Sequence, residues 1–323
     1  MLAWLLRGYG EPADVLELAE TPIPEPLPHQ TLVRVEAVGI GFPDLLRIRG
    51  LYQVPQALDT PPGSELVGRV AATGSEGGPA VGTRVIGNAQ IGDGALAEYA
   101  VISTWESCRV PEELPTATAA TLSANYPTAM LALHTRAKVQ PGEVVVVTGG
   151  AGGVGSAATQ LAVAAGAHVI AIDLGADRAA RCIEFGAHAA IDSATQDIVS
   201  EIRAFSGGVG ADVFIDTVGG DVFDVFRRCV ASEGRVVIVG FTGGRIPELK
   251  LNHLILRNFT VMGVNALMYG SRWTELTEPV VAMAMSGEIK PPIEAVYPFQ
   301  QVPEVFARLS LGHVVGRAVV SVP

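Results

Sequence analysis

The stretch VVVVTGGAGGVGSAATQLAVAAGAHVIAID, residues 144–173, decides the fold of this 323-residue chain. An apolar run leads into a glycine cluster, an alanine-rich segment follows, and a second apolar run ends on Asp173. This is the order of a strand, a phosphate-binding turn, a helix, a second strand and a ribose-binding acid. The cluster GAGGVG fits the pattern GxGxxG, and Asp173 lies 18 residues beyond its last glycine. The stretch therefore predicts a unit that binds a dinucleotide for redox chemistry.

Each glycine of the cluster has its own physical reason. A tight turn out of a strand needs residues that adopt a positive φ without steric cost. A glycine lets the backbone approach a pyrophosphate, and Gly155 lets the new helix lie close to the sheet. The helix N-terminus offers unpaired N–H groups and a positive dipole end to phosphates. The alternative is a glycine-rich turn without a ligand. We expect cofactor contacts from the whole cluster: Gly150, Ala151, Gly152, Gly153, Val154 and Gly155.

Composition narrows the class of protein. A hydrophobic content of 49% indicates a compact globular chain, and a net charge of −11 argues against a nucleic-acid partner, which needs a basic surface. No apolar run reaches the roughly 20 residues that a membrane helix needs. The first residues lack the basic start and long apolar stretch of a signal peptide. We expect a cytoplasmic protein with no membrane partner.

The three cysteines, Cys108, Cys182 and Cys229, are widely spaced and form no CxxC pair. This spacing is typical of reduced thiols rather than of a disulfide framework. Cys182 and Cys229 fall inside predicted helices, so we expect them to act as small buried hydrophobic residues.

The N-terminal part of the chain has the pattern of a small β-barrel. Residues 1–122 are rich in proline and glycine and carry short runs that alternate apolar and polar residues. Such runs are typical of half-buried strands in a partly open barrel. The stretch 268–323 returns to this pattern and is expected to complete the same domain. The main predicted elements of this domain are strands at 31–38, 65–72, 81–86 and 316–322 and a helix at 274–285.

Residues 123–267 are predicted to form a doubly wound parallel-sheet domain, which makes the fold class α/β. Continuous apolar strands alternate with helices there, as in a sheet covered on both faces. The predicted strands are 144–148, 168–172, 212–216 and 235–240, with a late edge strand at 259–264. The predicted helices are 154–166, 176–185 and 221–232, with Gly186 and Gly234 at the ends of the last two. The exposed edge strand favours pairing with a second copy, and we expect a homodimer.

Several motifs together resemble the zinc-independent quinone oxidoreductases of the medium-chain dehydrogenase/reductase superfamily. They are GFPDLLRIRGLYQ (41–53), GSELVGRVAATG (63–74), VQPGEVVVVTGGAGGVG (139–155) and DTVGGDVFDVFRRCVASEGRVVIVGFTGG (216–244). The resemblance spans essentially the whole chain. It implies a GroES-like β-barrel catalytic domain, a Rossmann domain and NAD(P)H as the hydride donor.

The chain departs from the zinc-dependent relatives at their metal ligands. The Gly-His-Glu of those relatives reads Gly63-Ser64-Glu65 here, no cysteine stands near Gly41, and three scattered cysteines cannot form a four-cysteine zinc site. We therefore expect no metal site. Gly41 also stands where many zinc-independent relatives have asparagine. Without a Lewis acid, the expected acceptor takes hydride readily, as a quinone or an α,β-unsaturated carbonyl compound does.

The resemblance also implies candidate residues for the reaction and for nicotinamide binding. Tyr52 matches a loop tyrosine of the family and is the candidate hydrogen-bond donor to the developing oxyanion; the alternatives are an aromatic lid over the substrate and simple loop packing. Other positions match residues that border the nicotinamide: Thr128, Val239, Gly240, Phe241 and Asn265.

The choice between NADPH and NADH stays open on the sequence. The family favours NADPH, but an acid at the end of the second strand accepts hydrogen bonds from a free ribose 2′-OH and repels a 2′-phosphate. Asp173 is that acid, and Arg178, five residues on, is a candidate partner for a phosphate. Two alternative functions remain: an enoyl thioester reductase acting on acyl-CoA or acyl-carrier chains, and a non-catalytic NAD(P)H-binding protein.

Overall fold

A computed structural model describes residues 1–90, 92 and 94–323 and divides the chain into two compact units. The first unit comprises Met1–Ala124, Tyr269–Gly287 and Pro291–Pro323, and the second comprises Asn125–Met268 and Glu288–Lys290. In the described residues, every helix is too short or too polar to cross a bilayer.

The first unit begins with a series of strands separated by loops and short helices. The strands are β1 (Leu2–Leu6), β2 (Leu16–Glu20), β3 (Gln30–Ile40), β4 (Glu65–Thr73), β5 (Arg84–Asn88), β6 (Tyr99–Ser103) and β7 (Cys108–Arg109). The helices are α1 (Pro12–Val15), α2 (Phe42–Ile48) and α3 (Thr116–Ala119). The strands predicted at 31–38 and 65–72 are confirmed as β3 and β4. The strand predicted at 81–86 begins later, because the chain at 81–83 forms the turn that leads into β5.

The second unit alternates helices and strands. Its helices are α4 (Asn125–Met130), followed by a π-helical segment (Leu131–Ala137), α5 (Gly153–Ala164), α6 (Ala176–Glu184), α7 (Ile198–Phe205), α8 (Gly220–Phe226) and α9 (Asn252–Arg257). Its strands are β8 (Val144–Thr148), β9 (His168–Asp173), β10 (Ala189–Asp192), β11 (Ala211–Asp216), β12 (Val230–Ile238) and β13 (Thr260–Gly263).

The C-terminal part returns to the first unit. It contains α10 (Trp273–Ser286), β14 (Ile293–Pro298), α11 (Val302–Ser310) and β15 (Arg317–Ser321). The helix predicted at 274–285 and the strand predicted at 316–322 are confirmed as α10 and β15. The last strand pairs antiparallel with β3, so the end of the chain is built into the N-terminal sheet.

The sheet of the first unit runs in the order β14-β15-β3-β4-β5-β7, with β6 also paired to β3. One face of β3 and β4 is apolar and packs into a core that includes Val33, Leu66, Phe299 and Phe306. This sheet fixes the start of α2 after β3 and the start of β4, the two places from which the candidate acceptor site is built.

The sheet of the second unit is parallel throughout and runs in the order β10-β9-β8-β11-β12-β13. Val145, Val146 and Val147 of β8 are fully buried, as a strand covered on both faces requires. The strand order reverses between β8 and β11, which is where ligands bind in open sheets of this kind. The predicted edge strand is confirmed, since β13 ends the sheet.

The helix predicted at 221–232 is wrong in its second half. Helix α8 ends at Phe226, a 3₁₀ turn spans Arg227–Cys229, and β12 begins at Val230. Gly234 therefore lies inside a strand and does not end a helix. The pairing of β11 with β12 is irregular there, and a Cβ at Gly234 would lie 2.6 Å from a methyl group of Val230. Tertiary pairing with β11 overrides the local helical pattern. Gly186 does follow the end of α6, with a φ of +107°, as predicted.

All three cysteines are buried and free. Burial raises the pKa of the Cys108 and Cys182 thiols to about 12 and that of Cys229 to about 11. Neutral, enclosed thiols are poor nucleophiles. The expectation that Cys182 and Cys229 serve as packing residues is confirmed, although Cys229 ends the 3₁₀ turn rather than lying in an α-helix.

Candidate functional site

The glycine cluster forms a tight turn between β8 and α5. Gly149 opens the turn with a φ of +64°, a value that favours glycine. A Cβ at Gly155 would lie 2.0 Å from the Gly149 carbonyl oxygen, and a Cβ at Gly150 would lie 2.7 Å from the Ala171 methyl group. Both positions therefore need glycine because the turn, the helix and the neighbouring strand approach so closely.

The N-terminus of α5 has the properties of an anion site. The helix begins at Gly153 with Gly152 as its N-cap, and no side chain in the described residues caps this end. The first N–H groups of a helix have no intrahelical acceptor and carry the positive end of its dipole. A Cβ at Gly152 would meet only the Gly149 oxygen, at 3.2 Å, so the space beside this glycine is otherwise open. The cradle fits a pyrophosphate.

Asp173 and Arg178 lie together beside this turn. Arg178 Nε donates to Asp173 Oδ1 at 2.7 Å, and the amides of Ala151 and Leu174 donate to the same carboxylate at 2.7 Å and 2.8 Å. Asp173 is only 7% exposed. The predicted ribose-binding acid thus also ties the glycine turn to the end of β9, and the predicted phosphate partner is held by the acid.

Three strands of the parallel sheet, β9, β10 and β11, each end on aspartate. Asp192 follows Asp173 at the same edge and accepts hydrogen bonds from the amides of Gly175 (2.7 Å) and Ala194 (2.9 Å). These backbone donors lower the pKa of the Asp192 carboxyl. The sequence reasoning missed Asp192, although an acid directly after an apolar strand was a readable signal.

Asp216 marks the point where the strand order reverses. It is fully buried at the end of β11 and accepts hydrogen bonds from Thr148 Oγ1 of β8 at 2.7 Å and from the Val218 and Gly219 amides. Burial raises the pKa of the Asp216 carboxyl. This network joins the end of β8 to the end of β11 and to the loop that follows β11, beside the glycine turn. The sequence reasoning also missed Asp216 as a site residue.

Residues 239–241 lie at the same edge of the sheet. The amides of Val239 and Gly240 donate to the Asp216 carbonyl oxygen at 2.8 Å and 3.3 Å, directly after β12. The Phe241 ring lies close to Gly219, where a Cβ would stand 2.8 Å from it. The structure therefore brings this predicted segment to the edge that carries the glycine cluster.

The other two predicted cofactor residues lie on separate elements of the second unit. Thr128 is half-buried on α4, which packs on α5 and is fixed there by the Tyr126 hydroxyl and Gln160, 3.2 Å apart. Asn265 is exposed after β13, and its Oδ1 accepts a hydrogen bond from the Leu267 amide at 3.1 Å. The oxygen of the Asn265 amide therefore stabilises a local turn.

In the first unit, Tyr52 belongs to a group that we call the Tyr52 cluster, formed by Asp44, Arg47, Tyr52 and Ser64. The half-buried Tyr52 follows α2, and the guanidinium carbon of Arg47 lies 4.9 Å from the centre of its ring. Arg47 Nη1 donates to Ser64 Oγ at 2.6 Å, and Ser64 Oγ donates to Asp44. The Gly41 amide donates to Asp44 at 2.9 Å. The cluster thus offers a phenol and a cation side by side.

A buried ion pair adjoins the cluster at the start of β4. Glu65 is 1% exposed, pairs with Arg317 of β15 and accepts a hydrogen bond from the Ala124 amide at 2.9 Å. A Cβ at Gly39 would lie 2.8 Å from the Arg317 guanidinium, so the pair fits only beside glycine. Glu65 follows Ser64 directly in the chain, so the buried ion pair lies next to the Tyr52 cluster.

Ser64, which the resemblance matches to the histidine ligand of zinc-dependent relatives, binds the side chains of Arg47 and Asp44 in this structure. Within residues 1–90, 92 and 94–323, no three His, Cys, Asp or Glu side chains are grouped as metal ligands. The sequence reasoning did not single out Asp44, Arg47 or Ser64 for a role, because their contacts appear only when α2 folds onto the start of β4.

Comparison with known proteins agrees with this geometry. The family described as "Alcohol dehydrogenase GroES-like domain" matches residues 27–112, and that described as "Zinc-binding dehydrogenase" matches residues 153–282. Quinone oxidoreductase-like protein 2 of Bos taurus is 33% identical over 99% of this chain and 92% of its own length.

Two solved structures extend the likeness. Escherichia coli quinone oxidoreductase, solved in complex with NADPH, is 25% identical, and the match covers 100% of both chains with a TM-score of 0.91. The CurK enoyl reductase is 26% identical and matches 100% of this chain and 99% of its own, with a TM-score of 0.88.

Fold and site together define an oxidoreductase of the medium-chain dehydrogenase/reductase superfamily, with a GroES-like domain and a Rossmann-like parallel sheet. Within that class, the chain belongs to the zinc-independent quinone oxidoreductase-like family. The resemblance identified from the sequence motifs is confirmed.

Proposed function

We propose that this protein is an NAD(P)H-dependent reductase that transfers a hydride to a quinone or to a C=C bond conjugated to a carbonyl group. The observation that carries the proposal is the uncapped N-terminus of α5, with its open glycine cradle at the carboxyl edge of a parallel sheet. The NADPH complex of the E. coli relative supports it. We further propose that the first unit forms the β-barrel predicted from the sequence.

Different residues of the chain bind the different parts of the cofactor in this proposal. The amides of Gly153 and Val154 bind the pyrophosphate, and Asp173 with Arg178 faces the adenosine ribose. The nicotinamide is bordered by Thr128, Val239, Gly240, Phe241 and Asn265. When bound, the reduced nicotinamide supplies the hydride.

On the acceptor side, the Tyr52 phenol donates a hydrogen bond to the carbonyl oxygen of the acceptor. Hydride arrives with two electrons, so this oxygen gains negative charge and a positioned donor stabilises the transition state. One proton, drawn from solvent, completes the product. Each turnover therefore consumes one reduced cofactor, one acceptor and one proton.

The test compares the wild-type protein with Tyr52→Phe on a panel of quinones and enones, following cofactor oxidation by absorbance. We expect wild-type turnover and a loss of about tenfold or more in kcat/KM for Tyr52→Phe, because a hydrogen bond to a charged atom is lost. The cofactor Kd should not change. The matched control is Tyr99→Phe, a half-buried tyrosine on β6.

Equal kcat/KM for Tyr52→Phe and wild type would remove Tyr52 from the reaction. Tight cofactor binding without turnover of any acceptor would favour the non-catalytic binding protein instead. The likeness to the CurK enoyl reductase keeps the thioester reductase as a second candidate. Adding crotonyl-CoA to the panel tests it, and a clear preference for this thioester in kcat/KM would select it.

We also propose that two copies of the chain pair through the edge strand β13 and α9. Leu251, at the N-cap of α9, and Ile255 and Leu256, within α9, are at least three-quarters exposed. An unpaired strand edge beside an exposed apolar surface favours association with a second copy. The homodimer and the cytoplasmic location stay predictions of the sequence.

The double substitution Ile255→Glu/Leu256→Glu should convert the dimer to a monomer, because it places charges in the proposed apolar contact. Light scattering during size-exclusion chromatography at micromolar concentration measures this. Leu311→Glu, at an exposed leucine of the first unit, is the control and should leave the dimer intact. A wild-type monomer under these conditions would refute the proposal.

A further inference from the structure

Arg47 is a buried cation with few partners. It is 9% exposed on α2, and its only side-chain acceptor in the described residues is Ser64 Oγ, at 2.6 Å. Its Nε is enclosed with no hydrogen-bond partner in the same residues. Burying a guanidinium without a carboxylate partner is unfavourable. An anionic ligand that bound Arg47 would offset this cost.

Two other buried arginines of the first unit show the usual solution. Arg84, 4% exposed, pairs with Glu36 and also donates to two carbonyl oxygens and the Thr116 hydroxyl. Arg317 pairs with Glu65. In the described part of the chain, no carboxylate oxygen lies within 4.0 Å of an Arg47 nitrogen. The positive charge of Arg47 is therefore less neutralised by neighbouring groups than the charges of Arg84 and Arg317.

The surroundings of Arg47 hold it beside the candidate hydrogen-bond donor. One face of the guanidinium covers the Tyr52 ring, with 4.9 Å between the guanidinium carbon and the ring centre. Ser64 bridges Arg47 to Asp44, so the acid orients the cation without pairing with it directly. Gly41, beside Asp44, contributes no side chain to this place.

We propose that Arg47 is a second donor to the acceptor oxygen, acting with Tyr52 to bind the oxyanion that forms when hydride arrives. This inference rests on the proposed reductase function. Arginine stays charged at every relevant pH, and its planar fork is suited to oxygen anions. Such a pair selects acceptors whose carbonyl oxygen becomes an enolate or a phenolate, which is the common chemistry of enones and quinones.

The experiment measures binding of 4-nitrophenolate, a stable phenolate, by its absorbance change, alongside kcat/KM for an enone. Arg47→Met should weaken phenolate binding and lower kcat/KM, each by about tenfold or more. Arg47→Lys keeps the charge and should fall between Arg47→Met and wild type. The control is Arg49→Met, since Arg49 pairs at the surface with Glu11 at 2.7 Å.

The outcomes separate this inference from the proposed function. Phenolate binding that is absent in the wild type, or equal in wild type and Arg47→Met, would overturn the role of Arg47. Phenolate binding that depends on Arg47 without reduction of any acceptor would support the oxyanion site and reject the reductase. If Arg47→Met does not fold, as judged by circular dichroism, the same comparison made with Arg47→Lys decides.

Discussion

Gly152→Ala is expected to raise the Kd for NAD(P)H by about 30-fold or more while the protein stays folded. The added methyl group would occupy the open side of the cradle, where the backbone must approach the pyrophosphate. Inside the protein it meets only the Gly149 oxygen, at 3.2 Å, and the φ of Gly152 is −85°, so alanine fits the backbone. Fluorescence titration of the reduced cofactor gives the Kd, and circular dichroism reports the fold.

The matched control is Gly263→Ala. This glycine lies on β13 in the same unit, without a positive φ, and a Cβ there would meet nothing within 4 Å. Its Kd should equal that of the wild type. A Gly152→Ala protein that binds cofactor within twofold of the wild type would show that the pyrophosphate does not lie on this turn.

Asp173→Ser is expected to raise the ratio of kcat/KM for NADPH to that for NADH by about tenfold or more. The substitution removes a negative charge that repels a 2′-phosphate and an acceptor that holds a 2′-OH. It also releases Arg178 from its ion pair at 2.7 Å, so the guanidinium becomes available to a phosphate. Steady-state kinetics with both cofactors measure the ratio.

Two further variants separate charge from structure. Asp173→Asn keeps an oxygen for the Ala151 amide, which lies 2.7 Å from the carboxylate, and so isolates the loss of charge. Arg178→Ala in the Asp173→Ser background should cancel the gain for NADPH. An unchanged ratio in Asp173→Ser would exclude Asp173 from the choice of cofactor.

The second unit could be predicted in large part because its signals are local. The strands β8, β9 and β11 are buried on both faces, and the centre of each is a continuous apolar run without alternating polar residues. The tight turn is predictable from a few adjacent glycines, because residues without a Cβ adopt positive φ and allow close backbone approach. The start of β12 could not be predicted, because residues 230–234 pair with β11 through an irregularity that has no local signature.

The candidate acceptor site could be predicted only at Tyr52, through resemblance. Arg47 and Ser64 are 17 residues apart in sequence and meet only because α2 packs beside the start of β4. Likewise, the sequence placed Asp173 near Arg178 but could not show that the carboxylate also holds the Ala151 amide. Contacts of this kind depend on how the elements are aligned against each other. The hydrophobic pattern of the sequence predicts which face of an element is buried, but not which individual side chains meet.

The most direct test of the reductase follows deuterium from the cofactor to the product. Wild-type protein is mixed with an enone and with NADPH or NADH carrying two deuterium atoms at C4 of the nicotinamide, and the product is analysed by mass spectrometry and NMR. We predict one deuterium on the carbon β to the carbonyl and one cofactor oxidised for each acceptor reduced. Cofactor oxidation without deuterium in the product, or no oxidation with any acceptor, would contradict hydride transfer by this protein.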